Sequence, residues 1–169
     1  MNKKQKGFSL IELLIVVAII LIIAAIAIPN LLRARMAANE SSAVGSLRTI
    51  NTANATFLSV YGHNFAPSLL TLGGAAPIAA PTCLEANLID QVLGGAAPNN
   101  KSGYSFVYNP GAVDPGDAAC GSVTTYTVTA TPLTYNGTGT RSFFTDQTGV
   151  IRGADDGGGL SSVADPPLQ

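Results

Sequence analysis

Charged side chains make up only 11% of the 169 residues, against about 25% in an ordinary soluble domain. Histidine occurs once, at His63, and cysteine twice, at Cys83 and Cys120, with no CxxC spacing. That is too thin a ligand set for zinc. No serine or cysteine pairs with His63 as a nucleophile and its base, so neither an enzyme activity nor a cofactor is expected. Cations are scarce as well. Lys3, Lys4 and Lys6 precede a long apolar run, and the remainder carries six Lys+Arg against ten Asp+Glu, a net of -4. A general nucleic-acid grip needs a basic footprint, which this lacks. The length accommodates one modest domain plus the apolar segment.

That segment, Phe8 to Ile28, is twenty-one residues long and apolar except at Ser9 and Glu12. As a helix it spans about 31 Å, enough to cross a bilayer's hydrocarbon core. An acid near the centre of such a span costs roughly 3 kcal/mol. A secretory signal peptide accounts for the basic start, and Ala25-Ile26-Ala27 has the form of its cleavage site. The run is too long for that, and Glu12 has no place in it. A plain membrane anchor explains the length and leaves Glu12 unexplained.

The stretch Lys6-Gly7-Phe8-Ser9-Leu10-Ile11-Glu12 closely resembles the prepilin family, the type IV pilins and the pseudopilins of type II secretion. Their signature is a short basic leader ending in Gly, then Phe, Ser or Thr, Leu, Ile, Glu and a long apolar helix. The resemblance implies a leader at 1–7 that prepilin peptidase removes after Gly7, with N-methylation of the new terminus at Phe8. It implies a precursor in the bacterial inner membrane, N-terminus in the cytoplasm and head outside. Assembly machinery in that membrane then builds a homopolymer, an extracellular pilus or a periplasmic pseudopilus. In that polymer Glu12 pairs with the amine of a neighbouring subunit, which offsets part of the desolvation of both charges. Gly7 offers the peptidase a bond without a side chain. Pro29 stands at the twenty-second mature position, where many relatives also place proline, and removes a helical N–H, so a kink is expected. Leu21 departs from the glycine that many pilins carry there, and leucine resists local unwinding more than glycine does.

The expected fold class is α+β: a long N-terminal helix packed on a small antiparallel head. Residues 8–29 are read as the membrane and filament-core helix, and 30–61 as its amphipathic continuation. In the latter, Leu47, Ile50, Asn54, Phe57 and Tyr61 form one stripe, with Arg33, Glu40 and Arg48 mostly off it. Gly62 is the expected stop. The head is assigned to 62–152, with loop from His63 to Thr82 and a short helix from Leu84 to Leu93. Strands are expected at 104–108 and 123–129, followed by a hairpin (141–145 and 149–152) turning at Asp146 to Gly149. Gly153 to Gln169 lacks apolar periodicity and reads as a mobile tail. Its Asp155-Asp156 and glycines fall short of the six to eight oxygens that calcium takes, so no metal is expected. In an oxidising compartment Cys83 and Cys120 form a disulfide; otherwise they are two unrelated thiols.

Three functions fit these features. The first is a structural pilus subunit. The second is a pseudopilin, or a minor pilin whose head binds a ligand. The third is a secreted domain behind a signal peptide. Motility, adhesion and DNA uptake are not assigned by the sequence.

Overall fold

The computed structural model describes residues 8–62, 64–74 and 80–168. The leader with Gly7, and His63, lie outside these. Internal contacts divide the chain into two compact units, residues 1–35 and 36–169.

Helix α1, Leu10–Tyr61, runs through both units. In the first unit its side chains are exposed, apart from half-buried Ala24. By length and composition α1 is able to cross a membrane. It stays helical across Leu21 and Pro29. It stops at Gly62, whose φ of 68° and N–H bond to the Leu58 carbonyl (3.1 Å) form a left-handed cap. Glycine adopts that conformation at no steric cost.

The second unit is an antiparallel meander packed on the later part of α1. Its strands are β1 (Asn100–Lys101), β2 (Tyr104–Pro110), β3 (Tyr126–Pro132), β4 (Ser142–Asp146) and β5 (Ile151–Ala154), in the order β1-β2-β3-β4-β5. The register runs from Tyr104 opposite Pro132 to Pro110 opposite Tyr126, and from Ser142 opposite Ala154 to Thr145 opposite Ile151. Alternating aromatic and β-branched residues in β2 and β3 suit a pleated sheet with one covered face. That face supplies Tyr104, Phe106, Tyr126, Val128 and Phe143 to the core, against Ala43, Leu47, Ile50, Ala53 and Phe57 of α1. Fully burying Leu47 or Phe57 contributes about 2–3 kcal/mol each. The expected stripe is therefore the packed face, and the β4–β5 hairpin turns where expected, with Gly149 N–H on the Asp146 carbonyl at 2.9 Å.

Several expectations differ from the structure. The loop expected from His63 to Thr82 contains a short helix, α2 (Leu69–Gly73), capped by the Ser68 hydroxyl on the Thr71 N–H. The helix expected from Leu84 to Leu93 is reduced to α3 (Gln91–Gly94), which starts at the Asp90 cap. Gly73 and Gly94 pack backbone to backbone, so a Cβ on either would collide with the other. Strand β3 begins three residues later than expected because Val123 bridges to Phe65 and Val113 instead. The segment after β5, expected as a mobile tail, folds back along that strand. Leu168 N–H bonds to Ile151 O (2.9 Å) and Gly153 N–H to Pro166 O (3.2 Å). The Ser142 hydroxyl donates to Gly159 O at 2.6 Å. Backbone bonding at an open sheet edge holds a segment without any apolar period.

Candidate assembly site and the polar seam of the head

The start of α1 explains part of what Glu12 does. Leu10 is the first helical residue, so Ser9 is the N-cap and Glu12 sits three places on, in the arrangement of a capping box. The Ser9 N–H donates to Glu12 Oε2 at 2.9 Å, and the Leu13 N–H bonds to Ser9 O at 3.2 Å. The first N–H groups of a helix have no partner within it, and in lipid such a group is costly. Glu12 satisfies one of them. The Ser-x-x-Glu spacing before an apolar run was the sequence signal for this cap, and the family motif obscured it.

Phe8 precedes the cap with 82% of its surface exposed. Between Leu10 and Ile28, Glu12 is the only charged side chain. The run is thus an uncovered apolar surface with one acid near its beginning. Pro29 lies inside α1 and has no N–H to give the Ala25 carbonyl.

Polar side chains of α1 fasten it to the sheet and to the loops around it. Glu40, expected off the buried stripe, is buried at 8% exposure. It accepts from Thr140 N–H and Thr140 hydroxyl (both 3.0 Å), Arg141 N–H (3.3 Å) and Arg141 Nε (2.9 Å). Arg33 and Arg48 are exposed, as expected. The Asn51 amide donates to Thr145 Oγ1 at 2.8 Å and its oxygen accepts from Tyr126 OH at 3.1 Å. Asn54 Oδ1 accepts from Ala66 N–H at 3.2 Å, and Asn39 donates to Thr138 O at 2.9 Å. Asparagine is a poor interior helix residue. Three of them near one acid were a readable sign of bonds to another element.

Burial alone would raise the Glu40 carboxyl, but the bonds from Thr140 and Arg141 outweigh it and hold it below the ordinary range. A depressed folded value means that this stability is complete above the unfolded value, about 4.3, and is lost as pH falls through the folded one. Thermal melts between about pH 7 and pH 3 should show the native chain losing more stability than Glu40→Gln on acidification. Equal losses would remove Glu40 from this role.

The disulfide expected between Cys83 and Cys120 is present. It ties the loop before α3 to the loop before β3, where the Asp117 carboxylate accepts from Cys120 N–H (3.1 Å) and Ser122 N–H (3.2 Å). A cavity of about 560 Å³ beside β2, lined by Leu69, Pro98, Phe106 and Val107 among others, has no charged side chain in its wall.

Residues 2–28 match the model of the prokaryotic N-terminal methylation motif. The type IV major pilin protein PilA of Myxococcus xanthus is 48% identical over 58 residues, which cover 34% of this chain and 26% of the relative. The type IV wide pilus major component PilA4 of Thermus thermophilus is 64% identical over 39 residues, 23% of this chain and 30% of the relative. The chain therefore spans less than a third of either relative. No solved structure matches the chain.

Proposed function

We propose that the chain is a type IV pilin, a prepilin polymerised through α1, a reading supported by its methylation motif, its similarity to two major pilin components and its helix-and-sheet fold. The observation that carries this reading is the exposed apolar run with its one acid, Glu12, at the fifth position after Gly7. An uncovered run of this length is stable only in lipid or against other copies of itself.

In this reading residues 1–7 are the leader, and a peptidase cuts between Gly7 and Phe8. The freed Phe8 amine is methylated and remains cationic. It lies one helical turn from its own Glu12, but in the polymer it is the neighbour's amine that Glu12 meets, setting one subunit's register against the next. Residues 8–29 pass from the inner membrane into the filament core, with Pro29 as the kink. Residues 30–61 carry the head, 62–152, and the tail from 153 closes the sheet edge. The partners are further pilin subunits, prepilin peptidase with its methyltransferase activity, and the assembly machinery of the inner membrane. The subunit is structural rather than catalytic, and its product is an extracellular pilus.

A pseudopilin has the same N-terminal chemistry, but the relatives named above are major pilin components, which favours the pilus. Filaments sheared from the cell surface and identified by mass spectrometry should contain this chain as an abundant component. Recovery only from the periplasm and inner membrane would instead indicate a pseudopilin.

A further inference from the structure

Two cations follow the apolar run and have no protein partner among the described residues. Arg33 and Arg35 lie in the same compact unit as the run, and both are exposed. Among the described residues the ion pairs are Lys101–Asp90 and Arg141–Glu40, and neither involves them. Glu40, the only acid between Asn30 and Tyr61, is taken up by Thr140 and Arg141.

Their depth follows from the helix. At 1.5 Å per residue, Arg33 and Arg35 stand about 7.5 and 10.5 Å beyond Ile28. The headgroup layer is about 5–8 Å thick on each side of the hydrocarbon, and an arginine stem can reach back along the helix. Two residues apart on a helix, the pair points to nearly opposite sides. One neighbouring subunit cannot face both at once, whereas headgroups surround the helix at that level. A guanidinium also holds a phosphate through two parallel hydrogen bonds. Cations on this side oppose the orientation bias of Lys3, Lys4 and Lys6, so they sit where topology alone does not favour them.

We propose that Arg33 and Arg35 anchor the unassembled subunit to anionic phospholipid headgroups on the outer face of the membrane. Each guanidinium takes one phosphate, and together they set the depth of the run until the subunit leaves the bilayer. This rests on the reading that the run is membrane-held before assembly.

The test uses the full chain reconstituted in phosphatidylcholine bilayers with traces of spin-labelled phosphatidylglycerol or spin-labelled phosphatidylcholine. Electron spin resonance then reports the lipid fraction immobilised by the protein. The native chain should select phosphatidylglycerol, and the R33Q/R35Q chain should lose about fivefold of that preference per arginine at low salt. Any preference due to the leader lysines stays in both chains and cancels. Inorganic phosphate should act only through ionic strength; specific displacement by it would indicate a free-anion site and overturn the proposal. Equal selectivity in the two chains would overturn it too, and equal selectivity with lost filaments would assign the arginines to a second copy. A chain that alkaline carbonate extracts from the bilayer would sink the membrane reading itself, a result distinct from the others.

Discussion

Glu12→Gln should yield a folded, membrane-held subunit that does not enter filaments. The substitution is informative because glutamine serves a capping box as well as glutamate does. It can keep the bond from Ser9 N–H, 2.9 Å in the native chain, and removes only the charge. If Glu12 served the helix end alone, Glu12→Gln would assemble normally and Glu12→Ala would be the impaired variant. If Glu12 meets a neighbour's amine, both variants fail alike. An amine left unpaired in an apolar core costs about 3 kcal/mol, on the order of a hundredfold in the constant for adding a subunit. Quantifying sheared filaments from the two variants, with membrane-held subunit as the control, separates these roles.

Removing the Cys83–Cys120 bridge should cost the head much of its stability. The two residues are 37 apart in sequence, and closing such a loop in the unfolded chain is worth about 4 kcal/mol in the chain-entropy model. For a head of this size that corresponds to roughly 10–15 °C in melting temperature. The bridge joins loops that own little regular structure: α2 and α3 have five and four residues. Loss should therefore loosen the loops at 80–90 and 111–122 before the β2–β5 sheet. A Cys83→Ser/Cys120→Ser chain should melt at the lower temperature whether or not a reductant is present. The native chain should fall to the same value only when reduced. A reduced chain melting within about 2 °C of the oxidised one, roughly half a kcal/mol, would show that the bridge is structurally idle.

What was legible in the sequence was whatever repeats or follows a local rule. The stripe from Leu47 to Tyr61 recurs at helical spacing, and it is the face packed on the sheet. Gly62 and the Asp146–Gly149 turn are read from backbone preferences that neighbours do not override. The less legible parts depend on partners distant in sequence. Glu40 falls off the apolar stripe in sequence, and its burial is not readable there because its donors, Thr140 and Arg141, lie a hundred positions away. The segment after β5 has no period to read, since hydrogen bonds at a sheet edge hold it, with Leu168 packed against the core near its end. Short helices such as α2 depend on one cap, Ser68, and a turn of burial, too little to stand out from loop text. At the N-terminus the family motif drew the reading of Glu12 toward assembly. The local Ser9–Glu12 cap was equally present in the letters.

The most direct test is a helical reconstruction of surface filaments, with the intact mass of their subunit measured alongside. The subunit should start at Phe8, bear one added methyl group and pack α1 in the filament core. In that core the Phe8 amine of one copy lies within ion-pair distance of Glu12 of another. A subunit retaining residues 1–7 or starting at Ile28, or a filament in which Glu12 faces solvent, would contradict the prepilin reading.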